Sequence, residues 1–248
     1  MIVLVDIGNT CYHLYLNKKD GNKVYRFYNK SELVKFFLTF DKNVSYIFYI
    51  SSVNSIKSEI FIKAIPHTFK VEINLLSNTN FLDKTKKLGY QIDNLDVLGQ
   101  DLLFDILSLR GPYLIADYGT ASKYIYVDKN NKLVGGAIGP GLALINKSLF
   151  DNTEKLNNFK IEIPSALFSL KTSESINSMT TYGEAFKLIS YYNSLVQLDH
   201  NESINLVLTG GDGKIIKEVL TKLRFNDFTL DDELIFKGMS IALELNLF

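Results

Sequence analysis

The chain has 248 residues, enough for one large domain or two small ones with a substantial hydrophobic core. Its 27 basic and 27 acidic residues balance, so bulk charge gives no indication of binding to nucleic acid or to an anionic membrane. The single cysteine, Cys11, excludes an internal disulfide and a multi-cysteine zinc site, and suits a reducing cytoplasm. The N-terminal apolar run stops at Asp6, too short for a signal peptide or a membrane span. We therefore expect a soluble cytoplasmic protein.

The first predicted element is a strand over Ile2–Val5, an aliphatic run of the kind that is buried on both faces. Asp6 follows, then Gly8 and Asn9, and then a second apolar-rich run from Tyr12 to Leu16, which together predict a tight hairpin. A carboxylate at a strand end can hold hydrated Mg²⁺, and polar turn residues can reach phosphate oxygens. A hairpin with an ordinary polar turn explains the same residues.

The rest of the first half alternates between strands and helices. We predict strands over residues 23–28, 44–50 and 69–76, and helices over 31–38, 57–65 and 98–109. Ser31 is the expected N-cap of the first helix. The segment 81–95 has no strong period and is interpreted as a loop, and residues 110–112 (Arg-Gly-Pro) form the best boundary candidate.

The second half repeats the opening design over residues 113–122, where an apolar strand is followed by Asp117, Gly119 and Thr120. Further strands are predicted over residues 122–127, 132–138 and 205–208, and helices over 142–150, 184–198, from about 214, and 231–245. The glycine-rich stretch 135–141 is expected to bring a helix N-terminus to a bound anion. A tight strand-to-helix connection explains it equally well.

Five short motifs carry a resemblance to a known family. They are Asp-Ile-Gly-Asn-Thr at 6–10, Gly-Gln-Asp at 99–101, Asp-Tyr-Gly-Thr-Ala at 117–121, the glycine-rich stretch 135–141 and Thr-Gly-Gly-Asp at 209–212. Each is weak alone, but all five in this order resemble the type III pantothenate kinases, which phosphorylate pantothenate in the first step of coenzyme A synthesis. The resemblance implies an α/β fold of the duplicated actin-like ATPase (ribonuclease H-like) type, with two mixed-sheet halves at 1–111 and 112–248.

The resemblance also implies a nucleotide site with a metal ion. Asp6 would lie at the phosphates of ATP and help to hold Mg²⁺, and Asp117 would bind a monovalent cation, K⁺ or NH₄⁺. The remaining expected ATP-binding residues are Gly8, Asn9, Thr10 and Thr120. For the aspartates, the alternative is a turn in which each side chain satisfies its own backbone.

On the substrate side, the resemblance assigns the catalytic base to Asp101. Its place at the start of the 98–109 helix favours negative charge, so it could accept the proton of a substrate hydroxyl. Without the resemblance, a carboxylate that only caps a helix is the better interpretation. The other expected substrate-binding positions are Tyr90, Gly99, Gln100, Leu102 and Ile176. Tyr90 could instead be a half-buried packing residue, and Cys11 and His13 are interpreted as packing residues.

Four positions depart from the family pattern. Leu102 stands where arginine is usual, Lys123 and Ile125 where threonine and aspartate are usual, and Ile176 where a substrate-binding threonine is usual. Thr172, Ser175 or Thr180 could replace that threonine only if the loop is shifted. Leucine lacks the planar fork that a guanidinium offers to a carboxylate or phosphoryl group.

Three functions therefore remain open at this stage. The first is a divergent but active kinase that uses ATP, Mg²⁺ and pantothenate. The second is a catalytically impaired relative that acts as a nucleotide-binding, dimeric regulatory module. The third is a kinase of the same fold acting on another small hydroxylated acid. The resemblance implies a homodimer through helices of the second half, with no nucleic-acid or membrane partner.

Overall fold

The computed structural model describes residues 1–18, 21–77, 82–93, 98–156, 159–198 and 203–247. These residues form two compact units, Met1–Leu109 with Glu233–Phe248, and Arg110–Asp232. Among the described helices, none is both long enough and apolar enough to cross a lipid bilayer.

Each unit begins with three consecutive strands, and helices and two further strands follow. In chain order they are β1 (Ile2–Ile7), β2 (Tyr12–Lys18), β3 (Gly21–Phe27), α1 (Lys30–Phe37), β4 (Ser45–Ser52), α2 (Ser55–Ile62), β5 (Lys70–Leu75), α3 (Leu82–Lys87), α4 (Gln100–Leu107), β6 (Tyr113–Tyr118), β7 (Ala121–Val127), β8 (Leu133–Pro140), α5 (Leu142–Asp151), α6 (Thr172–Leu198), β9 (Asn205–Thr209), α7 (Gly213–Lys222), β10 (Thr229–Leu230) and α8 (Leu234–Glu244).

The two sheets share one topology. The first has five strands in the order β3-β2-β1-β4-β5, and the second has five in the order β10-β9-β6-β7-β8. In each, the first strand is antiparallel to the next and parallel to the strand that follows a helical crossover. The predicted architecture, a duplicated α/β fold with two mixed-sheet halves, is therefore confirmed.

Each sheet buries one face under helices. In the first unit, Phe37 of α1 and Phe61 of α2 pack their rings edge-on 5.7 Å apart, over the aliphatic side chains of β1 and β2. In the second, α6 and α7 cover β6 and β9 with apolar residues that include Leu188 and Ile216. The central strands β1 and β6 are buried along most of their length, as their aliphatic runs predict.

The last helix belongs to the first unit, whereas the predicted halves place it in the second. Helix α8 packs so closely on α4 that a Cβ atom at Gly238 would lie 1.8 Å from the carbonyl oxygen of Phe104. Phe236 of the same helix also stacks on Tyr15 of β2, with ring centroids 5.3 Å apart. A single boundary placed in the sequence can only divide the chain into two continuous halves. The first unit is discontinuous, because α8 returns to it from the end of the sequence.

Several element ends differ from the prediction. Asn29, rather than Ser31, caps α1, because its Oδ1 accepts the backbone N–H of Glu32 at 3.0 Å. The predicted loop 81–95 contains the short helix α3, and its residues 81, 94 and 95 lie outside the described residues. Helix α6 begins at Thr172, well before the predicted start, and the two-residue strand β10 was not predicted.

Candidate active site

The carboxyl ends of β1 and β4 meet at one edge of the first sheet. The two strands are parallel, with Asp6 paired to Ser51, so Asp6 ends beside the loop that follows β4. Val53 of that loop donates its N–H to the carbonyl of Ile7 at 3.1 Å. This edge therefore gathers the strand-end carboxylate and two polar loops, as expected where parallel strands deliver their chains.

The first hairpin turn spans residues 8–11 and is longer than the predicted Gly8-Asn9 turn. Gly8 donates its N–H to the carbonyl of Cys11 at 3.1 Å. The Asn9 Oδ1 accepts an N–H of Asn54 at 3.2 Å, which ties the turn to the loop after β4. Asn9 and its neighbour Thr10 are solvent-exposed, so their polar atoms face a region that a ligand can enter.

Helix α4 is fixed to the same edge through its first residue. The Gln100 side chain accepts the N–H of Ser52 at 3.2 Å and donates to the carbonyl of Leu76 at 2.5 Å. These partners are the last residue of β4 and the residue after β5. A single amide side chain thus sets the N-terminus of α4 against the ends of both strands.

Asp101 folds back over the start of its own helix. Its Oδ1 accepts the N–H of Leu102 at 2.9 Å. A Cβ atom at Gly99 would lie 2.5 Å from this oxygen, so the carboxylate keeps its position only because residue 99 has no side chain. The Gly-Gln-Asp motif therefore has a physical explanation: the glycine makes room, the glutamine anchors, and the aspartate is presented at the helix N-terminus.

The strand-end carboxylate Asp6 faces a histidine across the hairpin. His13 is its partner in the antiparallel register, and its Nδ1 lies 3.1 Å from Asp6 Oδ2, while its Nε2 lies 3.2 Å from Cys11 Sγ. Burial alone would lower the pKa of the imidazole, but its interactions with Asp6 and Cys11 outweigh burial and raise the pKa from 6.5 to about 9. His13 therefore pairs with Asp6, a contact that its interpretation as a packing residue did not include.

Two predicted substrate positions have buried side chains, Leu102 within α4 and Tyr90 between α3 and α4. Leu102 is buried on the apolar face of the helix. Tyr90 is 2% exposed, and its hydroxyl donates to the carbonyls of Leu107 and Leu109 at 3.2 and 2.6 Å. The Tyr90 hydroxyl is thus at the C-terminal end of α4 and Asp101 at the N-terminal end, and the structure does not bring the two together. This position favours the packing interpretation of Tyr90.

In the second unit, glycine backbones enclose the turn after β6. The N–H of Gly141 bonds to the carbonyl of Thr120 at 3.0 Å, and a Cβ atom on Gly141 would lie 2.2 Å from the carbonyl of Gly119. A Cβ atom on Gly210, which has φ +85°, would lie 2.4 Å from Asp117 Oδ1. The fourth and fifth motifs, 135–141 and 209–212, are therefore close-packing sites around the third, 117–121. Most of the 135–141 stretch lies in strand β8, and helix α5 begins only at residue 142.

Asp117 also faces a basic residue across its hairpin. Lys123 is its antiparallel partner, and the Lys123 Nζ lies 2.7 Å from Asp117 Oδ2. Sequence reasoning missed this ion pair. The signal was the position of Lys123, six residues after Asp117 and across a short turn.

The other two departures lie on apolar or helical surfaces. Ile125 is buried, and its side chain packs under the backbone of Gly136 in β8. Ile176 is half-buried in the first turns of α6. One turn later, Thr180 is buried, and its Oγ1 has no hydrogen-bond partner among the described residues.

Comparison with known proteins places these motifs in one context. The family model described as type III pantothenate kinase matches residues 2–193. A type III pantothenate kinase of Sulfurihydrogenibium sp. is 32% identical over 237 residues, which cover 89% of this chain and 92% of that protein. One of Acholeplasma laidlawii is 27% identical and covers 96% of each chain.

A solved structure supports the fold independently. A conserved Campylobacter jejuni protein attributed to the Baf family of transcriptional activators superposes with a TM-score of 0.59. The alignment covers 98% of both chains at 20% sequence identity, so this likeness concerns the fold alone.

Proposed function

The chain belongs to the type III pantothenate kinase family, and we propose that it transfers the γ-phosphoryl group of ATP to pantothenate in the first step of coenzyme A synthesis. One observation carries this proposal. The Gln100 side chain holds the N-terminus of α4, with Asp101 on it, at the sheet edge where Asp6 and the 8–11 turn also lie.

Asp101 is the proposed catalytic base. The hydroxyl oxygen of pantothenate forms a bond to the γ-phosphorus, the bond from that phosphorus to the bridging oxygen of ATP breaks, and ADP leaves. The proton of the hydroxyl goes to the Asp101 carboxylate, giving 4′-phosphopantothenate. The Asn9 amide, the Thr10 hydroxyl and the Thr120 hydroxyl are proposed to orient the nucleotide, and the absence of a side chain at Gly8 permits close approach of its phosphates.

Asp6 is the residue proposed to hold Mg²⁺. The described residues contain no cluster of three or more His, Cys, Asp or Glu side chains suited to a metal ion. One carboxylate fits this ion although His13 lies 3.1 Å from its Oδ2, because Mg²⁺ in kinases takes most of its ligands from water and from the nucleotide phosphates, whose negative charge offsets that of the imidazolium. When bound with ATP, the ion supplies positive charge at the phosphates.

A comparison of wild type with Asp101→Asn tests the proposal. Wild type is expected to form ADP only when pantothenate, ATP and Mg²⁺ are all present. The variant is expected to lose turnover by about 10²- to 10⁴-fold, because amide nitrogen and oxygen cannot take up the proton. Its affinity for ATP should change little, since the carboxylate acts on the other substrate.

The matched control is Glu59→Gln, which neutralises an exposed carboxylate on α2 in the same unit. It should keep wild-type turnover. Wild-type protein that binds ATP but makes no 4′-phosphopantothenate would overturn the kinase proposal and favour the regulatory nucleotide-binding module. An Asp101→Asn variant with undiminished turnover would remove the role of Asp101 alone.

A homodimer and a cytoplasmic location are also part of the proposal. Support for the dimer comes from exposed apolar side chains in the second unit, since soluble monomers rarely leave large apolar groups together in water. Phe168 is 92% exposed and Met179 is 77% exposed, and their segments are joined by a hydrogen bond from Ser178 Oγ to the carbonyl of Leu167 at 2.5 Å. The cytoplasmic location is supported by the cysteine content, because a single cysteine suits a reducing compartment.

The resemblance to the family also implies a monovalent cation at Asp117. No step is assigned to such an ion, because Lys123 already places a positive charge 2.7 Å from that carboxylate.

A further inference from the structure

The ion pair of Asp117 and Lys123 is built into the sheet. The two residues are direct antiparallel partners on β6 and β7, so their side chains project from the same face. The Nζ–Oδ2 distance is 2.7 Å, and the side chains of Lys123 and Asp117 are only 17% and 13% exposed. The ammonium is therefore held against the carboxylate by strand register and by burial.

Backbone packing covers the other oxygen of Asp117. The Gly210 Cα lies so close to Oδ1 that an added Cβ atom would be 2.4 Å away. The nearby carbonyls already accept hydrogen bonds, that of Tyr118 from the Asp212 N–H at 2.9 Å and that of Thr120 from the Gly141 N–H at 3.0 Å. A free alkali-metal ion needs several oxygen ligands at once, and with the Lys123 ammonium against Oδ2 these residues do not fit one at Asp117.

We propose that the Lys123 ammonium supplies at Asp117 the positive charge that the related kinases are expected to take from a bound monovalent cation, so that this chain works without K⁺ or NH₄⁺. The inference rests on the proposed kinase function. Lys123 is a positioning residue in it, which keeps the Asp117 carboxylate and the turn at residues 119 and 120 in place.

The chemistry of the lysine ammonium supports its replacement of a free monovalent cation. A lysine side chain ends in an ammonium group with a single positive charge and three N–H donors. Because this ammonium group is covalently attached to β7, the Asp117 carboxylate needs no cation from solution. A second cation at the same carboxylate would be repelled by the first, and the burial of the pair strengthens that repulsion.

The first experiment uses the wild-type protein. Pantothenate phosphorylation is measured in potassium-, sodium- and ammonium-free buffer with choline chloride as the salt, and then at equal ionic strength in KCl or NH₄Cl. The expected rates agree to within about twofold. Stimulation of wild type by K⁺ of tenfold or so would overturn the inference.

The second experiment removes the ammonium. Lys123→Met is expected to lose turnover by about tenfold or more in choline chloride and to recover most of it in KCl or NH₄Cl. Recovery by a small cation is a result that a merely structural role for Lys123 does not give. The matched control, Lys160→Met, removes an exposed lysine of the same unit and should behave as wild type in every salt. A Lys123→Met defect that no cation relieves would contradict the inference.

Failure of the proposed kinase function would give results different from failure of the inference about Lys123. Wild type would then form no ADP in response to pantothenate in any salt, and thermal unfolding would decide the question about Lys123. The wild-type midpoint should be equal in KCl and choline chloride, whereas Lys123→Met should be more stable in KCl. Equal midpoints for Lys123→Met in both salts would overturn the inference without any measurement of turnover.

Discussion

At the scale of single residues, the main finding is that each strand-end aspartate faces a basic side chain across its own hairpin. Asp6 is opposite His13 and Asp117 is opposite Lys123. The two basic groups differ in kind, because lysine carries its charge over a wide pH range whereas histidine titrates near neutrality. The first hairpin should therefore respond to pH near neutrality.

The raised pKa of His13 predicts a pH-dependent contribution to stability. The pKa in the folded protein is about 9, against an ordinary value of 6.5, so folding favours the protonated imidazole. The contribution is fully present below pH 6.5 and is lost as the pH rises through 9. Urea unfolding without Mg²⁺ should show His13→Gln less stable than wild type at pH 6, by on the order of 3 kcal/mol at most. The difference should shrink steadily towards pH 10.

His67→Gln is the control for this measurement, because His67 is exposed. Its stability should follow that of wild type at every pH. A His13→Gln deficit that is constant from pH 6 to pH 10 would mean that the imidazole acts through packing and not through its charge.

Sequence reasoning could find Asp6 and Asp117 but not their partners. The partners depend on register, and register depends on turn length. A turn made of Gly8 and Asn9 alone would set Asp6 opposite Cys11. The observed pairing of Ile7 with Tyr12 instead sets Asp6 opposite His13. One misjudged turn is enough to hide the hydrogen-bonded pair of Asp6 and His13.

Among the helices, α4 carries the proposed base, and it is held at its N-terminus by Gln100 and along its length by α8. Gln100 binds its N-terminus to the sheet edge, and α8 lies along it with Gly238 at the closest approach. Without a side chain at that position the two helices come close enough for backbone contact. The position of Asp101 thus depends on a glycine far away in sequence.

Substitution of Gly238 by alanine tests this dependence. Alanine favours the helix by about 1 kcal/mol over glycine, but its Cβ atom would have to displace the Phe104 backbone. The steric effect should win, with a net loss of about 1–3 kcal/mol in the free energy of unfolding and a fall in turnover. Urea denaturation and the kinase assay measure the two effects.

Gly183→Ala is the matched control, because Gly183 also lies within a helix, α6. Its added Cβ atom would meet only the sulfur of Met179 at 3.7 Å, an ordinary contact. This variant should be as stable as wild type or gain up to about 1 kcal/mol. Equal effects of the two substitutions would show that the α4–α8 contact can relax freely.

The elements themselves were largely predictable from hydrophobic pattern, and the failures have physical causes. The aliphatic runs of β1 and β6 identify them as central strands, and both are observed. The start of α6 at Thr172 was missed because polar residues fill its first turns. The strand β10 has two residues, too few to show any period.

At the scale of the whole molecule, the repeated sheet order shows two units of one design, and the sequence repeat at Asp6 and Asp117 predicted it. The assignment of α8 to the first unit was not predictable, because it depends on a contact between Gly238 and Phe104 that no local pattern encodes. The contacts of Tyr90 were not predictable for the same reason. Its hydroxyl donates hydrogen bonds to carbonyls at the end of α4.

The proposed homodimer is tested at this scale. Wild type should scatter light as a dimer at micromolar concentration. A double variant, Phe168→Asp with Met179→Asp, should be monomeric, because charges in a desolvated interface are costly. The control is Leu38→Asp, which places the same charge on an exposed apolar position of the first unit and should remain dimeric. A monomeric wild type would contradict the dimer.

The discontinuous first unit has a consequence for biosynthesis. A ribosome releases residues in order, so α4 emerges early, whereas α8 follows only after the whole of Arg110–Asp232. Residues up to Asp232 are therefore synthesised while the helix that carries Asp101 still lacks its neighbour. A nascent chain is thus expected to expose the α4 surface around Phe104 until α8 has emerged from the ribosome.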